Sequence, residues 1–332
     1  MKHFLFILFL GIIPITNNSF FESSINSSNM KEFRVLGYLP SSKDWIAGAE
    51  KIDFSKITDL NLAFINPDEW GNFAENEGLK FVVKKASQHH VNIYFSIGGG
   101  SPPAHLEKLL EPKHRGKFID AICAFAQKYE FDGVDVDLEN DLINENYKDF
   151  VSELSTAIQS INLKMTAALA SWNADKISDE TLSSYDFINI MSYDQTGPWN
   201  LNKPGQHSPL KMVEDDFAYF HQKRGIPAEK LLIGLPFYGY GFGEGAPGSM
   251  NFGNIVSKFP GSENKNEIHF PVGGTLYYNG KELIMQKTEF AMKKDAAGVM
   301  IWQLLGDSNG RHSLLKVINE TKENAHATNP KW

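Results

Sequence analysis

In the ten-residue run FDGVDVDLEN (131–140), acidic side chains stand at every second position, Asp135, Asp137 and Glu139, with Asp132 three residues ahead. Val134, Val136 and Leu138 fill the alternate positions. A strand sends alternate side chains to opposite faces, so this run has one apolar face and one face of three carboxylates. Carboxylates held side by side away from water cannot all ionise cheaply, and at least one then keeps a proton at neutral pH. A carboxylic acid still protonated near pH 7 is what general acid catalysis needs. If the acidic face is dry, the run predicts proton-transfer chemistry, with the outermost acid, Glu139, as the donor. Two blander readings fit less well. An EF-hand calcium loop counted from Asp135 needs Gly at position six and Glu at position twelve, where Asn140 and Asn146 stand. An exposed amphipathic strand in an antiparallel sheet conflicts with the helical patterns on either side.

Strand-like runs that could position these acids occur at 33–39, 57–65, 91–97, 131–138, 163–170, 185–193, 230–238 and 298–302. Apolar residues at helical spacing occupy 78–90, 113–130, 146–160 and 208–225 between them. Eight strands alternating with helices predict the α/β class with a parallel sheet, and a closed (β/α)8 TIM barrel is the simplest arrangement of that number. An open doubly wound sheet would carry a glycine-rich phosphate loop after its first strand, and none follows. Barrel strands are covered on both faces, by helices outside and packed side chains within. Val134, Val136 and Leu138 then face the helices, and Asp135, Asp137 and Glu139 point inward. That makes the acidic face dry. The segment from Gly239 to Asn279, rich in Gly, Pro and Asn, predicts a long loop or small insertion (239–284) between the seventh and eighth strands.

At 332 residues and a formal charge of −8, the chain is large enough for one barrel and lacks the basic footprint of nucleic-acid binding. FLFILFLGIIPI (4–15), twelve mostly apolar residues after Lys2, is too short to span a bilayer and suits a secretory signal. The expected organisation is a signal peptide at 1–20, a polar leader at 21–32, the catalytic barrel at 33–323 and a tail at 324–332. Secreted or periplasmic localisation follows from that reading, with no membrane span in the mature chain. Cys123 is the single cysteine, so no intrachain disulfide forms.

Other strand ends carry chemistry too. The third ends in Ser96-Ile97-Gly98-Gly99-Gly100, the sixth in Met191-Ser192-Tyr193-Asp194 and the eighth in Trp302. Together with Asp132-x-x-Asp135-x-Asp137-x-Glu139 and Gly234-Leu235-Pro236-Phe237-Tyr238-Gly239, these segments closely resemble family 18 glycoside hydrolases of the bacterial chitinase type. The motifs fall in the family's order over roughly residues 33–320, and four ordered motifs at strand ends are far more specific than any one alone.

The resemblance implies a retaining, substrate-assisted hydrolase of β-1,4-linked N-acetylglucosamine, acting on chitin or chito-oligosaccharides, with no metal or organic cofactor. Glu139 would be the acid and base, Asp137 would orient the sugar's acetamido group, and Asp135 would share a proton with Asp137. Tyr193 would hydrogen-bond the acetamido oxygen, Asp194 would bind near the same sugar, and Trp302 would form an apolar floor. Met191, Tyr38, Phe64, Tyr238, Gly98 and Gly99 are further candidates for the substrate site, with Ser96 and Asp132 grouped behind the acids, Asp132 reading as structural rather than catalytic at the strand entry before Gly133. Trp199, on the loop after the sixth strand, is a candidate for stacking on a more distant sugar, ahead of Trp172 and Trp45. The pair His89-His90 reads as solvated. Tyr240 stands where many members carry arginine, and the short insertion favours an open groove and endo action. No carbohydrate-binding module is expected after the barrel, and a monomer is expected. The rival activities are an endo-β-N-acetylglucosaminidase acting on N-glycans, a sugar-binding lectin on an inactive barrel, and a hydrolase inhibitor. The intact Glu139 disfavours the last two.

Overall fold

Eight runs rich in β-branched and aromatic residues form parallel strands, each buried along nearly its whole length. The computed structural model describes Met1, residues 32–40 and residues 44–328, so the expected signal peptide and most of the polar leader lie outside the described residues. The first seven strands are β1 (Arg34–Pro40), β2 (Asp59–Ala63), β3 (Asn92–Gly98), β4 (Gly133–Asp137), β5 (Lys164–Leu169), β6 (Phe187–Ile190) and β7 (Leu231–Pro236). Four short strands follow: β8 (Tyr238–Phe242), β9 (Ser249–Asn251), β10 (Glu267–His269) and β11 (Thr275–Tyr278). The last, β12 (Gly298–Trp302), pairs with β1 and β7 and closes the ring in the order β1-β12-β7-β6-β5-β4-β3-β2. This is the (β/α)8 barrel the alternation predicted.

The helices on the outside are α1 (Trp45–Glu50), α2 (Glu77–Gln88), α3 (Leu106–Leu109), α4 (Pro112–Tyr129), α5 (Tyr147–Ser160), α6 (Asp179–Ser183) and α7 (Leu210–Ala218). Beyond α8 (Phe252–Lys258) in the insertion come α9 (Lys281–Lys293) and α10 (Leu314–Thr328). Local chemistry sets their ends. Asn76 caps α2 by accepting from the Gly78 amide, Pro112 opens α4 where its missing N–H costs nothing, and Glu130 closes α4 in the left-handed region. The helical pattern expected at 208–225 splits into α7 and a π-helical turn at Tyr219–Lys223. The last helix runs to Thr328, past the expected barrel end at 323.

Val134, Val136 and Leu138 are fully buried in the layer between barrel and helices. Each such side chain contributes about 1.5–3 kcal/mol of burial, which holds β4 with its acids turned inward. Strands β8 to β11 form a small antiparallel sheet in the order β10-β11-β8-β9. Its first and last strands lie side by side, with Gly239 opposite Tyr278. The expected irregular insertion is therefore an ordered sheet with one helix, and α9 begins within its expected range.

Candidate active site

Register along the barrel wall puts Ser96 of β3 and Thr166 of β5 on either side of Asp135. Asp135 is wholly buried and accepts four hydrogen bonds. Its Oδ2 takes the Tyr38 hydroxyl at 2.7 Å and the Ser96 hydroxyl at 2.7 Å. Its Oδ1 takes the Thr166 hydroxyl at 2.6 Å and Asn189 Nδ2 at 3.2 Å. Burial pushes the Asp135 carboxyl upward in pKa, and these four donors pull it back toward the charged form.

Asp137, two residues nearer the mouth, is also buried, and its Oδ1 has no hydrogen-bond partner among the described residues. Burial, then the charges of Glu139 and Asp135, hold its carboxyl well above the ordinary range. Glu139 follows at the rim, partly exposed. Burial and then the Asp194 carboxylate push it up to about 7. Three carboxyls on β4 and just past its end thus graduate from a hydrogen-bonded base layer to an acid open to the cleft.

That cleft, about 190 Å³, is lined by Asp137 and Glu139 together with Tyr38, Met191, Tyr193 and Asp194. Trp302, Phe64 and Trp172 add its aromatic surfaces. The Trp302 ring stacks on Phe64 at 5.6 Å and meets Tyr38 edge-on at 5.4 Å, so the floor is braced on two sides. The Tyr193 hydroxyl points to Met300 Sδ at 3.7 Å, a weak acceptor that leaves it available to a stronger one. Asp194, held in the left-handed region, accepts the Tyr238 hydroxyl at 2.6 Å and lies 3.2 Å from His207 Nδ1. A larger surface cleft of about 800 Å³, between residues 50–56 and 304–316, contains none of these groups. Size alone would have chosen the wrong place.

The structure gathers Glu139, Asp137, Tyr193, Asp194, Met191, Tyr38, Phe64 and Trp302 around one opening, with Ser96 directly behind the acids. Several expected placements change. Asp132 lies at the opposite end of β4, about 16 Å of strand from Asp137, where its Oδ2 accepts the Ile93 amide at 2.7 Å and joins β3 to β4. It does not support the acids. Gly98 and Gly99 are wall rather than contact surface. Both have positive φ, and an added Cβ would stand 2.2 Å from the Asp137 carbonyl oxygen or 2.4 Å from the Phe64 ring. Tyr238 is buried under Asp194 and outside the cleft lining, so it holds that carboxylate rather than ligand. Trp45 is core, whereas Trp172 is 48% exposed and lines the opening. Trp199, 62% exposed, stands outside the lining and edge-on to Tyr240 at 5.2 Å.

His207, Asn189 and Thr166 escaped the sequence reading. Asn189 and Thr166 sit on inward strand positions, which alternation alone could have flagged as polar in a barrel interior. His207 lies in an irregular loop, and no local signal marks it.

A family model described as glycosyl hydrolases family 18 matches residues 34–307. Among solved structures, a family 18 chitinase, ChiB from the chitin utilization locus of Flavobacterium johnsoniae, is 35% identical with a TM-score of 0.81. The match covers 89% of this chain and 95% of that one. A chitinase from Bacteroides thetaiotaomicron is 28% identical with a TM-score of 0.77, covering 87% and 96% respectively. A probable chitinase 2 of Drosophila melanogaster is 27% identical over 313 residues, 76% of this chain but only 64% of the fly protein's length.

Proposed function

We propose, since the chain belongs to glycosyl hydrolase family 18, that it hydrolyses β-1,4 linkages between N-acetylglucosamine units of chitin or chito-oligosaccharides, with retention of anomeric configuration. The observation that carries this reading is the unpartnered, buried Oδ1 of Asp137 beside a half-buried Glu139 whose pKa is pushed up to about 7. A buried oxygen without a partner is costly, and a ligand N–H at the cleft would satisfy it. The acetamido N–H of a sugar lying on Trp302 meets that need. Glu139 then protonates the glycosidic oxygen, and the acetamido carbonyl attacks its own anomeric carbon to give an oxazolinium-like intermediate. Tyr193, whose hydroxyl has only a sulfur partner, hydrogen-bonds the acetamido oxygen. Water, giving up a proton to Glu139, then attacks the anomeric carbon from the face the leaving group vacated and breaks its bond to the acetamido oxygen, which restores the original configuration. Asp194 holds the sugar's polar edge and keeps Glu139 protonated until substrate arrives.

The partly open rim, with Trp172 and Trp199 exposed beside and beyond the cleft, supports cleavage within a chain rather than from its end. The apolar run 4–15 supports export, which the mass of the mature N-terminus checks.

The test is cleavage of a chito-oligosaccharide series by the wild type and by Glu139→Gln, with products read by mass and anomeric form. Wild-type products should be β-anomers of mixed length. Glu139→Gln should lower kcat by about 10²–10⁴-fold while binding persists, and Asp137→Asn by about 10²-fold or more. Initial α-anomers would exclude retention. An inert wild type that releases high-mannose N-glycans would assign the activity to N-glycan cores instead.

A further inference from the structure

A lysine stands on the core-facing stripe of α9. Leu283, Ile284, Lys287, Thr288, Ala291 and Met292 are the buried residues of that stripe, and Lys287 has no exposure at all. Burying an ammonium is costly unless it is hydrogen-bonded and electrically balanced. Lys287 Nζ donates to the Ser208 carbonyl at 2.7 Å, to Ser208 Oγ at 2.6 Å and to Asn279 Oδ1 at 2.5 Å. All three are acceptors, so the three protons of the charged form are used. The facing charge is Asp216, buried on the stripe of α7, which packs against α9.

Both ends of this pair lead to the cleft. Ser208 Oγ passes its own proton to the Ser192 carbonyl at 2.6 Å, one residue before Tyr193 and two before Asp194. His207, the neighbour of Ser208, is fully buried, with Nδ1 3.2 Å from Asp194 Oδ1 and Nε2 3.3 Å from the Tyr238 carbonyl. Its ring packs between Tyr238 and Tyr240, each at 5.0 Å. At the other end, Asp216 accepts the Ser171 hydroxyl at 2.6 Å, next to Trp172. A fully buried lysine in an apolar stripe is a poor stabiliser compared with an aliphatic residue of the same size, so the geometry it fixes is the more economical explanation for it.

We propose that Lys287 is a positioning residue for the hydrolytic site, fixing Ser208 and His207 so that Asp194 stays aimed at Glu139. Burial drives its pKa well below the ordinary lysine range, and the Asp216 charge opposes that drift. The kinetic consequence rests on the hydrolase reading above, whereas the positional consequence does not.

The test combines crystal structures of the wild type, Lys287→Met and Ser208→Ala with kinetics on chito-oligosaccharides. Each variant should release the Asp194 carboxylate from the Tyr238 hydroxyl or turn the His207 ring. Each should lower kcat by about ten-fold, and in an Asp194→Asn background the same substitution should cost nothing further, the non-additivity expected of residues acting through one group. Thermal unfolding separates this from loss of fold, and Ser208→Ala, which keeps the lysine, decides alone if Lys287→Met does not fold. Unmoved Asp194 and His207 in the folded variants overturn the proposal, as does a kcat loss that multiplies with that of Asp194→Asn. A wild type without activity would defeat the substrate reading, and the crystal positions would still decide this one.

Discussion

As the proposed proton donor, Glu139 must hold a proton long enough to give it away, and its surroundings set the pH at which it can. With its carboxyl pushed up to about 7 by burial and then by Asp194, the alkaline limb of kcat/KM should fall near pH 7. Asp194→Asn removes the second cause and should move that limb to lower pH, which a pH-rate profile on a soluble oligosaccharide reads directly. The same shift affects stability. The folded-state pKa of Glu139 lies above its ordinary value of 4.5, so its contribution is fully present below about pH 4.5 and is lost as pH rises through about 7. Glu139→Gln should therefore unfold a few degrees higher than the wild type at pH 8 and at the same temperature at pH 4, on the order of 1–3 °C for a domain of this size. The acids were legible in the sequence because their spacing of two is the strand period. Of the four donors around Asp135, Ser96 was read as backing the acids, but the contacts of Tyr38, Thr166 and Asn189 were not legible, since these come from three other strands. Closing the ring brings them together, and that contact leaves no trace in any local run.

Between the residue and the barrel stands the end of each strand, where the chain must turn without blocking the mouth. Gly98 and Gly99 do this for β3. Their positive φ turns the backbone beneath the Phe64 ring, and the Gly99 amide donates to the Asp137 carbonyl at 2.7 Å. Gly98→Ala places a methyl 2.2 Å from that carbonyl in a backbone region that side chains disfavour. It should cost about 2–4 kcal/mol, and it should also lower kcat, because the strand that must move is the one carrying Asp137. Chemical denaturation with parallel kinetics tests both effects, and an alanine variant of wild-type stability would contradict the packing argument. Long elements were readable for a simple reason: the eight barrel strands are apolar or alternating runs separated by helical patterns and turn residues. The strands of the insertion were not, because β9 and β10 are three residues each and β8 alternates glycine with aromatics. Their pairing partners, not their propensity, make them strands.

Across the whole molecule, the chemistry is confined to one end of a barrel whose other end is sealed by structural contacts such as Arg34 on Asp59 and Asp132 on β3. Among the described residues no helix is long and apolar enough to cross a membrane. The rim is where the sequence was hardest to rank, since tryptophans in loops look alike until their neighbours are known. Trp172 turned out to line the opening and Trp45 to fill the core. Trp172→Ala should leave folding intact and raise KM for chains of four or more units by about ten-fold, the scale of roughly 1–2 kcal/mol for an apolar face covered by ligand. Equal KM for wild type and variant on long chains would remove Trp172 from the binding surface. The sheet at residues 238–278 leaves and rejoins the barrel between two paired neighbours, Gly239 and Tyr278. A detour whose two ends already touch can grow, shrink or be exchanged while the ring beneath it stays closed, because lengthening such an excursion costs little in chain entropy. The insertion is in that sense a replaceable part, and selection can reshape it without renegotiating the strand that carries the acids.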